Sequence, residues 1–133
     1  MIKLYIDENL SPFLATGLHY LEQGNGKEIE VLSIREVFGR GTEDEVWIPQ
    51  VGETGGIIPT QDFNIFKKKA QRLLYEQCGV GLFIVRPPSN RGYTYWQMVV
   101  YIVNRWSDIK VLAVNDLPFA YSCNARGKFE KLS

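Results

Sequence analysis

The sequence predicts an α/β domain with a mostly parallel sheet of about five strands and a C-terminal hairpin. Strand-like and helix-like segments alternate along the chain, and residues 80–85 form a continuous apolar run that is typical of a strand covered on both faces. The length of 133 residues suffices for one domain but is short for two. We therefore expect a single domain over residues 1–133.

Short apolar segments predict the strands. Ile2, Leu4 and Ile6 alternate with other residues before an acid, which is the pattern of a strand with one buried face. Four of the five predicted strands are residues 2–6, 29–32, 80–85 and 111–114. The third strand in chain order is predicted to begin at Ile57, and residues 60–62 are its end and exit. Residues 119–132 predict a hairpin that turns at 124–127, where asparagine and glycine occur.

Capping signals and helical periodicity predict the helices between the strands. Ser11-Pro12 has the residue types of an N-cap and a first helical position, and Leu21 is expected on the buried face of that helix. Thr42 followed by Glu45 fits a capping box that opens a second helix. Two more helices are predicted, one over residues 63–77 and one that contains residues 95–106.

The composition excludes several classes of protein. With 45% hydrophobic and 23% charged residues, the chain is neither disordered nor fibrous. No apolar run reaches the roughly 18 residues of a membrane span, and Asp7 follows the N-terminus too closely for a signal peptide. Cys78 and Cys123 lack metal-ligand spacing, which favours a reducing compartment. We expect a cytoplasmic protein that does not contact a membrane.

The neutral net charge conceals an uneven distribution. Residues 1–66 carry 4 Lys or Arg and 11 Asp or Glu, whereas residues 67–133 carry 11 and 4. A separation of acidic and basic residues between the two halves of a sequence indicates a charged partner or a charged site. Charged residues on solvent-exposed helix faces would produce the same separation.

Several acids are predicted to meet at one edge of the sheet. Asp7 and Glu8 follow the first strand, Asp62 follows the third, and Asp44 lies in the first turn of the intervening helix. Ligands of open parallel sheets bind outside the carboxyl ends of the strands. Acids that converge there repel one another unless a hard cation such as Mg²⁺ or Mn²⁺ neutralises them.

The order of three short motifs resembles a known family. The motifs are Asp7-Glu8-Asn9-Leu10, Gly41-Thr42-Glu43-Asp44-Glu45 and Thr60-Gln61-Asp62-Phe63-Asn64. Over roughly residues 1–88 the chain resembles the small PIN-like proteins, which include the VapC-type toxins and the Mut7-C PIN-like domain. The resemblance implies a three-layer α/β/α fold whose acids bind Mg²⁺ or Mn²⁺ and cleave RNA.

The resemblance also implies roles for individual residues. Asp7, Asp44 and Asp62 match the family's acids, so we expect them to be catalytic and to hold the metal, with Glu8 as a further ligand. Asn64 stands where the family has a second acid, and its amide oxygen can coordinate a cation without adding charge. Thr60 is expected to orient Asp62 or a water. The residues expected to bind the RNA backbone are Lys67, Lys68, Lys69, Arg72, Arg86 and Arg91.

Partners and alternative functions follow from the same residues. If the chain is a toxin, we expect a small co-encoded antitoxin, and the aromatic helix around Trp96 offers apolar surface for docking or for a homodimer. A non-catalytic PIN-like binding module is one alternative, because Asn64 lacks the family's charge. A receiver-type phosphoacceptor domain is another. Against it, Val114 is followed by Asn115 rather than by the lysine that a receiver needs after its fifth strand.

Overall fold

The described residues form six strands, which belong to one sheet with the order β2-β1-β3-β4-β5-β6. The computed structural model describes residues 1–7, 10–62, 64–87, 89, 91–124 and 126–132. The strands are β1 (Ile2–Ile6), β2 (Ile29–Ser33), β3 (Ile57–Thr60), β4 (Gly81–Val85), β5 (Phe119–Cys123) and β6 (Phe129–Lys131). Strands β1 to β5 are parallel, and β6 returns antiparallel to β5. The predicted fold class and the C-terminal hairpin are therefore confirmed.

Helices cover both faces of this sheet. They are α1 (Pro12–Gln23), α2 (Ile34–Phe38), α3 (Asp44–Glu53), α4 (Asn64–Lys67), α5 (Lys69–Cys78) and α6 (Tyr95–Ala113). Alternation along β1 places Leu4 and Ile6 in a core with α1 and α6, and Tyr5 in a second core with α3 and α5. The result is three layers, α/β/α. Within the described residues, no helix is long and apolar enough to cross a membrane.

The first helix begins as predicted, but its buried face differs from the prediction. The Ser11 hydroxyl oxygen accepts the backbone N–H of Phe13, which confirms the N-cap. Leu21 is 66% exposed, so its predicted burial is wrong. The neighbouring Glu22 is buried instead, because donors from α6 compensate its carboxylate.

The predicted capping box at Thr42 and Glu45 is wrong. The Thr42 hydroxyl donates to the backbone carbonyls of Phe38 and Gly39, so it closes the unpredicted helix α2. Glu43 is the N-cap of α3 and makes no side-chain capping bond. Asp44 is consequently the first residue of α3, and the exposed Glu45 has no capping role.

The predicted helix over residues 63–77 is two helices. Lys68 has an extended backbone conformation between α4 and α5, with φ of −85° and ψ of 111°. Its N–H still donates to the carbonyl of Asn64, and its own carbonyl accepts the N–H of Arg72. The lysine run therefore lies at a junction between helices and not along one helix face.

The predicted strand over residues 111–114 is wrong, because residues 111–113 end α6 and Val114 is its C-cap. Ile109 and Ala113 lie on the buried face of that helix, whereas Val111 and Val114 are exposed. The β preference of valine is overridden by packing of the helix on the sheet. The fifth strand, β5, is followed by Asn124, so the lysine of a receiver domain is missing there too.

Glu22 forms a buried polar contact between α1 and α6. Its carboxylate accepts hydrogen bonds from the indole N–H of Trp106 at 3.0 Å, from the ammonium of Lys110 at 3.1 Å and from the N–H of Glu28 at 3.2 Å. Burial alone would raise the pKa of Glu22, but the hydrogen bonds from Trp106 and Lys110 outweigh it and hold the pKa below its ordinary value of 4.5.

Replacement of Glu22 should reduce stability in a pH-dependent way. We expect Glu22→Gln to lower the free energy of unfolding at pH 7 by about 2 kcal/mol, because charged hydrogen bonds become neutral ones. Since folding lowers the pKa of Glu22, its contribution to stability is present above pH 4.5. The contribution is lost as the pH falls through the pKa of the folded state. Urea unfolding of both proteins at several pH values measures this difference in the free energy of unfolding. Glu30→Gln, at a half-buried ion pair with Lys3, is the control. A variant as stable as wild type at pH 7 would contradict the assignment.

Candidate active site at the carboxyl edge of the sheet

Three carboxylates from separate segments line one cavity at the carboxyl edge of the sheet. Asp7 follows β1, Asp62 lies two residues after β3, and Asp44 is the first residue of α3. Strand β1 pairs with both β2 and β3, so these strand ends lie side by side. The cavity has a volume of about 110 Å³ and is lined by Asp7, Ile34, Asp44, Trp47, Asp62, Ile65, Gln71 and Tyr75.

Thr60, the last residue of β3, connects two of the acids. Its side chain is fully buried, and its hydroxyl donates to Oδ2 of Asp7. The hydroxyl oxygen of Thr60 also accepts the backbone N–H of Asp62 at 3.1 Å. One hydroxyl therefore fixes the carboxylate after β1 relative to the backbone after β3.

The other acids are held by helices. Oδ2 of Asp44 accepts a hydrogen bond from Nε2 of Gln71 at 2.9 Å, which links the start of α3 to α5. Oδ1 of Asp62 accepts the backbone N–H of Asn64 at 3.0 Å, which turns the chain into α4. At the N-terminus of α3, Asp44 also lies where the helix dipole favours a negative charge.

The pKa of Tyr75 reflects the burial and the negative charge of the cavity. Burial raises the pKa of its phenol well above the usual range, and the charges of Asp44, Asp7 and Asp62 raise it further. The ring also packs edge-on against Trp47, with centroids 6.3 Å apart. Tyr75 therefore stays protonated at physiological pH, and it can form hydrogen bonds but cannot serve as a base.

The donor chemistry of the cavity fits a divalent cation. Carboxylate oxygens are the ligands that Mg²⁺ and Mn²⁺ prefer, and the volume admits an ion with some of its waters, since one water occupies roughly 30 Å³. In the described parts of the chain, no group of three or more His, Cys, Asp or Glu side chains is arranged to hold a metal ion. Mg²⁺ usually keeps several waters and binds one or two carboxylates, so this set of acids remains suitable.

Two further expected ligands do not add to this set. Glu8 lies outside the described residues. Asn64 is exposed and is not among the residues that line the cavity, although its backbone N–H contacts Asp62.

The expected RNA-binding residues are divided between two regions. Lys67, Lys68 and Lys69 are exposed at the junction of α4 and α5, a few residues beyond Asp62. Arg72, on α5, does not line the acid cavity but a second small cavity, with residues that include Tyr75, Pro118 and Phe119.

The two arginines after β4 lie at the same edge as the acids. Arg86 directly follows β4 and is exposed, and its backbone N–H donates to the carbonyl of Cys123. Arg91 is exposed in the segment before α6, where the N–H of Tyr93 donates to the side chain of Gln61, the residue before Asp62.

Some residues of the cavity were not foreseen from the sequence. Gln71 and Tyr75 lie one turn apart on α5 and both face the acids. Their spacing of four residues is a signal that they share a helix face, but the packing of that face against α3 is a tertiary property. Ile34, Trp47 and Ile65 supply the apolar wall, which strengthens electrostatic interactions inside the cavity.

The hydroxyl of Thr60 should contribute measurably to stability. We expect Thr60→Val to lower the free energy of unfolding by about 2 kcal/mol, because the N–H of Asp62 loses its buried acceptor and Asp7 loses a donor. Thr60→Ser, which keeps the hydroxyl, is the matched control and should lose less. Chemical denaturation of the three proteins measures the difference. A Thr60→Val protein that loses no more stability than Thr60→Ser would contradict the role assigned to the hydroxyl.

Comparison with known proteins identifies a family. Residues 2–87 match a family model described as a PIN like domain. No curated protein and no solved structure matches the chain. The match extends from β1 to just beyond β4 and includes Asp7, Asp44 and Asp62. The chain therefore belongs to the PIN-like domain family, whose fold is of a nuclease type.

Proposed function

We propose that this protein is a Mg²⁺- or Mn²⁺-dependent endoribonuclease that hydrolyses RNA phosphodiester bonds. The observation that carries the proposal is the cavity lined by Asp7, Asp44 and Asp62 in a PIN-like chain. Three acids in one small cavity repel one another, and a divalent cation is the ligand that relieves this repulsion.

Five polar residues in or beside the cavity have a part in this proposal. One or two of Asp7, Asp44 and Asp62 would bind the cation directly and the remaining carboxylate would contact its waters. The bound cation would supply Lewis-acid stabilisation of the charge that develops on the phosphate. Thr60 keeps Asp7 and the Asp62 backbone in position through its two hydrogen bonds. Gln71 orients Asp44 in the same way.

Basic residues near the acids suit a phosphate-bearing substrate. Lys67, Lys68 and Lys69 are exposed close to Asp62 along the chain, and Arg86 and Arg91 lie at the same edge of the sheet. Lysine and arginine supply most of the binding free energy of proteins for nucleic acid backbones. Arg72, which lines another cavity, is the least suited of the expected residues to contact the same strand.

Replacement of one acid should abolish cleavage. We expect Asp62→Asn to reduce metal-dependent cleavage of single-stranded RNA by more than about 100-fold, since even residues behind metal ligands contribute 10- to 100-fold. Asp116→Asn removes an exposed acid from the segment before β5, at the opposite edge of the sheet, and is the matched control. Gel analysis of end-labelled RNA with Mg²⁺, Mn²⁺ or EDTA measures the rates.

Two results would contradict the enzyme proposal. Cleavage that survives in Asp62→Asn would show that these acids are not the catalytic centre. RNA binding by the wild-type protein without cleavage under any metal condition would support the non-catalytic binding module instead.

We further propose that the enzyme is the toxin of a type II toxin–antitoxin pair, and this part rests on the family resemblance. An inhibitor that brings an Arg or Lys to the carboxylates would neutralise them in place of a metal. Tyr95 and Trp96, which are 46% and 71% exposed at the start of α6, offer apolar surface for its docking or for a second copy of the chain.

Expression of the protein alone should slow growth of the host cell. We expect Asp7→Asn to relieve the effect, because the substitution removes one acid of the proposed metal site, and we expect the product of an adjacent small gene to copurify with the wild-type protein. Growth curves at matched expression levels measure the first effect. Slow growth that persists with Asp7→Asn would show that cleavage is not its cause.

A further inference from the structure

A shallow cleft lies beside the acid cavity, at the start of α1 and along α2. It is open to solvent, has a volume of about 670 Å³ and is lined by Ser11, Pro12, Phe13, Arg35, Glu36 and Arg40. Ile34 lines the acid cavity, and the next residue, Arg35, lines the cleft. Ile6 and Ser33 are paired in register, so Asp7 and Ile34 leave the sheet side by side. The cleft and the acid cavity are therefore adjacent.

The cleft is lined by basic residues, although the first half of the chain is mainly acidic. Residues 1–66 contain four Lys or Arg, and two of these, Arg35 and Arg40, line this cleft. Neither forms an ion pair with any of the residues that the structure describes. Among the described residues that line the cleft, the exposed Glu36 is the single carboxylate. Two guanidinium groups are thus available to an anionic ligand.

The backbone around Arg40 is fixed before any ligand binds. Gly39 and Gly41 have φ angles of 93° and 74°, which favour glycine and shape the turn that presents Arg40. The Thr42 hydroxyl donates to the carbonyls of Phe38 and Gly39 and closes this turn. A fixed backbone lowers the entropy lost on binding.

An exposed aromatic ring completes the cleft. Phe13 lies in the first turn of α1 and is 79% exposed, although it is among the largest apolar side chains of the protein. Nucleic acid bases stack on aromatic rings of this kind in proteins that bind single strands. An aromatic ring beside two arginines fits one nucleotide unit better than it fits an inorganic anion.

We propose that this cleft binds the RNA strand on the side of the acid cavity opposite to Lys67, Lys68 and Lys69. Arg35 and Arg40 contact phosphates, and Phe13 stacks on a base. In the sheet, β2 and β3 flank β1. The RNA strand would therefore pass from the end of β2 across Asp7 to the end of β3. This inference rests on the proposed function, because it states how the RNA is held.

The salt dependence of RNA binding tests the cleft directly. A fluorescent single-stranded RNA of about 12 nucleotides is titrated in EDTA, which prevents cleavage, and Kd is measured by anisotropy at several salt concentrations. The slope of log K against log [salt] is about −0.7 per phosphate contact for single strands. We expect Arg35→Gln with Arg40→Gln to make the slope shallower by about 1.4 and to raise Kd about tenfold at low salt.

Matched variants separate charge from stacking. Lys27→Gln with Lys131→Gln removes the same charge from exposed positions away from the cleft and should leave the slope as in wild type. Phe13→Ala should weaken binding about tenfold without changing the slope, because it removes a stacked base and no phosphate contact. If the double arginine variant is misfolded by circular dichroism, Arg40→Gln alone should change the slope by about 0.7.

The outcomes distinguish this inference from the proposed function. An unchanged slope in the arginine variants, or wild-type protein that does not bind RNA, would overturn the inference. RNA binding that depends on Arg35 and Arg40 without any cleavage would uphold the cleft and overturn the nuclease. Cleavage by the wild-type protein, together with an unchanged slope in the arginine variants, would uphold the nuclease and overturn the role of the cleft.

Discussion

Three carboxylates share a small and partly apolar cavity in this protein, and the hydrogen bonds that hold them connect β1, β3, α3 and α5. Asp7, Asp44 and Asp62 each accept a hydrogen bond from the protein, from Thr60, Gln71 and the backbone of Asn64 respectively. Hydrogen bonds to charged acceptors offset part of the repulsion among the three carboxylates. The divalent cation of the proposed function would relieve the rest of this repulsion.

The topology of the sheet determines where charges of opposite sign meet. The acids lie in the first half of the sequence and most basic residues in the second half. Parallel pairing of β1, β3 and β4 nevertheless brings Asp7, Asp62 and Arg86 to one edge. The division of charge along the chain is therefore compatible with one composite site, in which carboxylates face a cation and the neighbouring arginines and lysines face phosphates.

Much of this arrangement could be predicted from local sequence patterns. Strand ends are readable from alternation, and residues after parallel strands meet at one edge, so the sequence alone indicates that Asp7 and Asp62 lie close together. Thr60 was expected to orient Asp62, and its hydrogen bond to the Asp62 backbone agrees with that role. The catalytic and metal-binding roles of these residues stay predictions.

Features that depend on packing between distant segments could not be predicted in the same way. Glu22 is buried and Leu21 exposed because Trp106 and Lys110, more than 80 residues later, compensate the carboxylate. Val111 belongs to a helix because Ile109 and Ala113 pack on the sheet beside it. Gln71 contacts Asp44 only once α5 lies against α3. In each case the local preference was outweighed by a contact that is distant in sequence.

Binding of Mn²⁺ tests the central claim most directly, because it needs neither RNA nor turnover. Titration of the metal-free protein with Mn²⁺, followed by the electron paramagnetic resonance signal of the free ion, measures the amount bound. We expect the wild-type protein to bind Mn²⁺ and to release it to excess Mg²⁺. We expect Asp44→Asn to bind it more weakly and Asp116→Asn to bind it as wild type does. A wild-type protein that leaves the signal of free Mn²⁺ unchanged would contradict the assignment of this cavity as a metal site.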